Sequence, residues 1–158
     1  MSPRAVTELV RRPSPVLRDT DEMGDAVRAV LESGLPALPV VDAKDRYVGL
    51  FGEREFIGAL FPQYLQTLGY AGFVPRSIDA VLEKRRRAAT DHVSEWMNAE
   101  HVDVVDDASD AALAETFLHH RVIVVPVTDA ARHVVGVVLR TDFFRTLVPR
   151  YLDDGTAT

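Results

Sequence analysis

Cysteine is absent from all 158 residues. That excludes disulfides, cysteine-ligated zinc, iron–sulfur clusters and thiol catalysis. Positive charge is also scarce: 18 Lys and Arg stand against 24 Asp and Glu, a formal net charge of −6. A protein that tracks a phosphate backbone needs a concentrated basic surface, so nucleic acid is not the expected partner. Long apolar runs are missing as well. The longest, Val122 to Val127, has the length of a buried strand and falls far short of the roughly 20 residues of a membrane span. The opening residues lack the apolar core of a signal peptide, and the expected location is the cytoplasm, away from any membrane. With 47% hydrophobic and 27% charged residues the composition is that of a globular protein.

What is present is an internal repeat. At a constant offset of 87 residues, Val6 falls on Val93 and Glu8 on Glu95. Pro39-Val40-Val41-Asp42-Ala43 falls on Pro126-Val127-Thr128-Asp129-Ala130, and Val48-Gly49 on Val135-Gly136. Phe56 meets Phe143, and Leu60-Phe61-Pro62-Gln63-Tyr64-Leu65 meets Leu147-Val148-Pro149-Arg150-Tyr151-Leu152. About a quarter of roughly 60 positions are identical without a gap. The chain thus divides into a first repeat (1–65), a connector with a short helix (66–92), a second repeat (93–152) and a polar tail (153–158).

Each repeat reads as strand, helix, strand, strand, helix. Met23, Ala26, Val27, Val30 and Leu31 follow the spacing of one helix face, as do Leu113, Ala114, Phe117 and Leu118 in the second copy. Thr20 or Asp21 can cap the first of these helices, and Gly34 suits the left-handed position that ends it. The apolar runs Ala37 to Val41 and Val122 to Thr128 have strand length. Polar turns of hairpin size lead from them to return strands Tyr47 to Phe51 and Val134 to Leu139. Closing helices carry Phe56 and Leu60, and Phe143 and Leu147, with Pro62 and Pro149 marking a kink or an exit. A unit of this size has too small a core to be secure alone. The expected fold class is α/β (α+β): two β-α-β-β-α repeats packed pseudo-twofold through their sheets, with a helical connector.

A helix, a strand ending Pro-Val-Val-Asp, a short turn, Val-Gly among apolar residues and an acid six positions after the glycine resemble the CBS domain. Two in tandem resemble a Bateman module, and the second copy, with Val93-Ser94-Glu95-Trp96-Met97 and Val125-Pro126-Val127-Thr128-Asp129, is the better match. The resemblance implies a regulatory, non-catalytic module that binds an adenosine-containing ligand (AMP, ADP, ATP, S-adenosylmethionine or NAD(H)) in an inter-repeat cleft and signals to a partner protein. No cofactor is required by it. The family's ligand signature is Gly-apolar-apolar-Thr/Ser-x-x-Asp, in which the acid accepts from the ribose hydroxyls and the hydroxyl side chain assists at the phosphate; one carboxylate can engage both hydroxyls of a vicinal diol. Here the second copy reads Gly136-Val137-Val138-Leu139-Arg140-Thr141-Asp142, so Asp142 keeps the ribose position while Leu139 replaces the hydroxyl. The first copy reads Gly49-Leu50-Phe51-Gly52-Glu53-Arg54-Glu55, with Gly52 at the hydroxyl position and Glu55 at the acid. His120 and Arg121, just before the strand that carries Val122 and Val124, resemble phosphate-contacting residues of kinase-regulating members. The residue set implied is therefore Asp142, Arg121, His120, Val122, Val124, Leu139, Thr141 and Glu55. The altered positions leave open a second reading, a structural or interaction module that has lost nucleotide binding.

Other chemistry has little support. Adjacent His119 and His120 diverge by about 100° on a helix and are not expected to share a metal. No nucleophile-elbow motif surrounds a serine, and carboxylates at helix starts are favoured by the dipole alone. Neither a catalytic residue nor a metal site is expected. Lys84-Arg85-Arg86-Arg87 ends a connector helix that Ser77 can cap; it reads either as a solvated helix end or as a contact for an acidic partner. The apolar bands Phe56, Ile57, Leu60, Phe61 and Phe143, Phe144, Leu147, Val148 are broader than one buried face requires, and they predict a homodimer.

Overall fold

The computed structural model describes residues 6–61 and 78–152. It contains two three-stranded sheets, each with its own helices. In the first repeat, helix α1 (Val6–Val10) precedes β1 (Leu17–Arg18), α2 (Met23–Ser33), β2 (Ala37–Val41), β3 (Tyr47–Gly52) and α3 (Glu53–Leu60). After α4 (Ile78–Arg85) and two 3₁₀ turns at Arg86–Thr90 and Val93–Glu95 come β4 (Val104–Val105), α5 (Asp110–His120), β5 (Val124–Thr128), β6 (Val134–Leu139) and α6 (Arg140–Leu152). The strand–helix–strand–strand–helix order is the one the repeat predicts.

The two sheets obey one plan. Leu17 lies opposite Val40 in a parallel pair, and Val104 lies opposite Val127. Strand orders are β1-β2-β3 and β4-β5-β6. Every residue of β2 and β5 is buried, as expected for a central strand covered on both faces. The turns after them are Asx turns: the Asp42 carboxylate accepts from Lys44 N at 2.9 Å and that of Asp129 from Ala131 N at 2.9 Å. Asp45 and Arg132 then take the left-handed conformation at φ 63° and 66°. The repeated Val/Thr-Asp-Ala therefore marks a turn.

By compactness the chain forms two units, and these do not follow the order of the sequence. One comprises 16–44, 48–61 and 78–99, around the first sheet; the other comprises 45–47, 100–152 and the opening segment 6–15, around the second. Each sheet thus takes its entry segment from the other repeat. In the second-sheet unit, Arg12 forms an antiparallel bridge to Val137, with N–O distances of 2.8 and 2.9 Å. In the first-sheet unit Asn98 bridges Leu50 in the same way, at 2.8 and 2.9 Å. These crossings explain the repeated Val-Gly. A Cβ on Gly136 would lie 2.7 Å from Arg12 O, and one on Gly49 would lie 2.9 Å from Asn98 O. Only glycine lets the arm lie that close to the strand.

Four details differ from the sequence reading. The gap-free register holds from β1 onward, but the entry arms are displaced by one: Arg12 occupies the place of Asn98, and Thr7, fully buried, that of the fully buried Val93. Neither Thr20 nor Asp21 caps α2; Asp91 O accepts from Met23 N at 2.8 Å, while the Asp21 carboxylate serves Arg18 N at 2.8 Å. The buried helix faces are narrower than the spacing implied: Met23, Ala26 and Val30 are buried but Leu31 is 76% exposed, and Leu113 and Phe117 are buried but Leu118 is 79% exposed. Of the two expectations for Pro149, a kink or an exit, the exit is not met: Pro149 lies inside α6. Its missing N–H leaves one turn unbonded only three residues before the helix ends, where that costs least. Gly34 closes α2 in the left-handed conformation at φ 71°, as expected. Pro62 and Ser77 lie outside the described residues.

Candidate functional site

The second-repeat residues meet because of strand register. Val124 lies opposite Leu139 in the antiparallel pair, so the start of β5 and the end of β6 share one end of the sheet. Arg140 N donates to Ile123 O at 2.9 Å and fixes the exit of β6 there. Arg121 and Val122 enter at this end; Leu139, Thr141 and Asp142 leave from it. Val122 and Val124 are buried, Leu139 is partly buried, and Thr141 is exposed.

Asp142 is the third residue of α6, and its side chain is only 16% exposed. Its partner is Arg12, delivered by the exchanged entry arm. Arg12 Nε donates to Oδ2 at 2.5 Å and Nη2 to Oδ1 at 2.9 Å. Two parallel bonds of this kind are the fork geometry that favours arginine over lysine at a carboxylate. The bond to Asp142, then its negative charge, raises the Arg12 pKa further above its ordinary value. The guanidinium is still half-exposed, at 51%. The carboxylate that the resemblance assigns to a ribose diol therefore already holds two donors.

Arg121 caps α5 in the left-handed conformation at φ 54°, ψ 30°. It is exposed, and its side chain makes no hydrogen bond or ion pair among the described residues. His120, one position earlier, turns elsewhere. Its Nδ1 lies 3.3 Å from Glu100 Oε2, its ring meets that of His119 edge-on at 4.8 Å, and both histidines line a cleft of about 350 Å³ between α5 and β4. Asp142 does not line that cleft. The site residues thus fall into two groups, with Arg121, Leu139, Thr141 and Asp142 at the sheet end and His120 beside the cleft.

Glu55, the counterpart of Asp142, belongs to the first-sheet unit. Burial pushes its carboxyl up to about 7, against smaller lowering effects from Arg54 and from the backbone groups of Glu55 and Gly52. Gly52, at the hydroxyl position of that copy, has no room for any side chain: a Cβ there would lie 2.2 Å from Pro36 O and 2.5 Å from Ala37 Cα. The first repeat departs from the signature for a packing reason.

The basic run also has a place. Arg85 donates to Ala59 O at 2.6 and 2.9 Å, at the end of α3, and its guanidinium lies 5.5 Å from the centre of the Trp96 ring. Arg86 pairs with Glu83 at 3.6 Å. Among the described residues no group of three His, Asp or Glu is arranged to hold a metal ion. No helix among them is long and apolar enough to cross a membrane.

The fold and the site define a tandem α/β module with the carboxylate of one repeat at a sheet end. Residues 6–62 match the CBS domain model, and the chain is similar in fold to solved CBS-domain structures. The CBS domain of a CBS domain-containing membrane protein from Sphaerobacter thermophilus is similar over 90% of this chain and 86% of its own, with 20% identity and a TM-score of 0.67. The CBS-pair protein CBSX2 from Arabidopsis thaliana is similar over 94% and 98%, with 18% identity and a TM-score of 0.69. CBSX2 in complex with AMP matches over 92% and 97%, with 19% identity and a TM-score of 0.65. At these identities the likeness is one of fold.

The partner of Asp142 was not legible in the sequence. A signal was present, since the second arginine of Arg11-Arg12 stands in the entry arm, but nothing local couples it to a residue 130 positions away.

Proposed function

We propose that this chain is a regulatory module whose second-sheet unit binds an adenine nucleotide, with Asp142 accepting from the ribose hydroxyls and Arg121 at the phosphate. One observation carries the reading: a largely buried carboxylate and an unengaged guanidinium leave the same end of the β5–β6 pair. The AMP complex of CBSX2, a protein of the same fold, supports it. Ligand binding would act by population shift, favouring whichever arrangement binds better and passing that bias to a partner protein. The first repeat, with Gly52 and Glu55, is not a second nucleotide site.

Titration calorimetry with AMP, ADP, ATP, S-adenosylmethionine and NADH tests the reading. At least one should bind. Asp142→Asn should then weaken it by about tenfold or more, the worth of a hydrogen bond to a charged acceptor. Glu55→Gln should leave it within about twofold. Equal effects of the two substitutions would overturn the assignment.

A second reading, a homodimer scaffold, is favoured by the surface of α6. Phe144, Leu147 and Tyr151 form one stripe at 63%, 39% and 87% exposure, and Leu152 follows at 66%. Light scattering at micromolar concentration should report a dimer that Phe144→Glu converts to monomer. A monodisperse wild-type monomer would eliminate it.

A further inference from the structure

We infer that Arg12 sets the ligand specificity of the Asp142 site, restricting it to molecules that carry both a vicinal diol and an anionic group. The inference rests on the nucleotide reading above and adds a residue that the family's signature does not contain. The two donors on Asp142, at 2.5 and 2.9 Å, are the ones a diol would have to replace. A diol alone exchanges two charge-assisted N–H donors for two neutral O–H donors, and it separates a charged pair; that exchange is unfavourable. A phosphate on the same ligand changes the balance. The displaced guanidinium then exchanges one anion for another, and its planar fork suits phosphate as well as carboxylate.

The arm geometry allows this. Backbone bonds of 2.8 and 2.9 Å to Val137 hold Arg12 in place independently of its side chain. The guanidinium is half-exposed, so it can swing while the arm stays. With the unengaged Arg121 at the same sheet end, two guanidiniums can then face one anionic group. A neutral nucleoside would leave both without an anion and forfeit the bond to Asp142.

The test compares AMP, adenosine and 2′-deoxy-AMP by calorimetry on the full chain, its Arg12→Met variant and its Arg12→Lys variant. On the wild type, adenosine should bind at least about thirtyfold more weakly than AMP, and 2′-deoxy-AMP at least about tenfold more weakly. In Arg12→Met, AMP should weaken while adenosine is unchanged or improved, closing the gap to less than about fivefold. Arg12→Lys keeps the charge without the fork and should fall between the two. A gap between AMP and adenosine that survives Arg12→Met unchanged overturns this inference and leaves the nucleotide reading standing. Failure of all three ligands on all three proteins, each shown folded by circular dichroism, overturns this inference, and the nucleotide reading falls with it when ADP, ATP, S-adenosylmethionine and NADH also fail to bind the wild type.

Discussion

Replacing Gly52 by alanine should be among the most damaging single-methyl changes in this chain. Gly52 ends β3, and the added Cβ would sit 2.2 Å from Pro36 O, 2.5 Å from Ala37 Cα and 2.5 Å from Ala37 Cβ. Two of these atoms are backbone and the third belongs to a buried residue, so no flexible side chain can swing aside. The start of β2 would have to retreat by about 1 Å, and that movement would break the 3.0 Å bond from Glu53 N to Pro36 O at the start of α3. Overpacking of this kind costs about 1–3 kcal/mol and the lost bond about 1 kcal/mol more, about 2–4 kcal/mol together. For a chain of this size that lowers Tm by roughly 4–16 °C. Gly58, six residues on inside α3, is the control, because its Cβ would meet nothing within 4 Å. Gly58→Ala should raise stability by about 0.5–1 kcal/mol through helix propensity. Thermal melts followed by circular dichroism compare the two. A Gly52→Ala protein melting within about 2 °C of the wild type would refute the reasoning. Gly52→Ser, which restores a hydroxyl at that position, should be as damaging as alanine and should create no phosphate site.

Three further outcomes are expected. Glu55 ionises near 4.5 when unfolded and at about 7 in the fold, so the folded state binds the extra proton between those values. Its contribution to stability is therefore full below the lower value and is lost, by up to about 3 kcal/mol, as pH rises through the higher; Glu55→Gln should flatten that fall in denaturant titrations at pH 5 and pH 8, and an unchanged slope would contradict the burial argument. Thr7 is fully buried and its hydroxyl has no hydrogen-bond partner among the described residues, so Thr7→Val should stabilise the fold by about 1 kcal/mol, and a lower melting temperature would show that the hydroxyl is used. Arg85→Met keeps much of the stem but removes both bonds to Ala59 O; it should cost about 1–2 kcal/mol and shift the emission of Trp96, the single tryptophan.

The parts of the fold that showed in the sequence are those where chemistry has few substitutes. Asp42 and Asp129 recur because an Asx turn needs a short side-chain acceptor. Gly49 and Gly136 recur because an arm crosses each of them. The aliphatic runs of β2 and β5 recur because both faces are covered. The one-residue displacement of the entry arms was not legible, since Val6 over Val93 looks better than Thr7 over Val93. Leu31 and Leu118 misled the helix reading for a related reason: helical spacing shows which residues align and says nothing about how wide the covering surface is. Asp142 was singled out by the resemblance, as the acid six residues after Gly136, whereas its partner Arg12 depends on a long-range crossing that leaves no periodic trace.

The exchange of entry arms has a consequence for how such a chain can be divided or arise. A fragment cut at the sequence boundary between the repeats carries the wrong arm: 93–152 would lack the strand that pairs with Val137, leaving that edge of β6 open, while its own arm would have no Leu50 to bind. Two identical copies of one repeat could repair each other by swapping arms, as in a domain-swapped dimer. The tandem chain is that reciprocal pair joined by a connector, so its smallest self-sufficient piece is the whole pair, and a truncation of the first dozen residues should be felt first at the far end of the sequence.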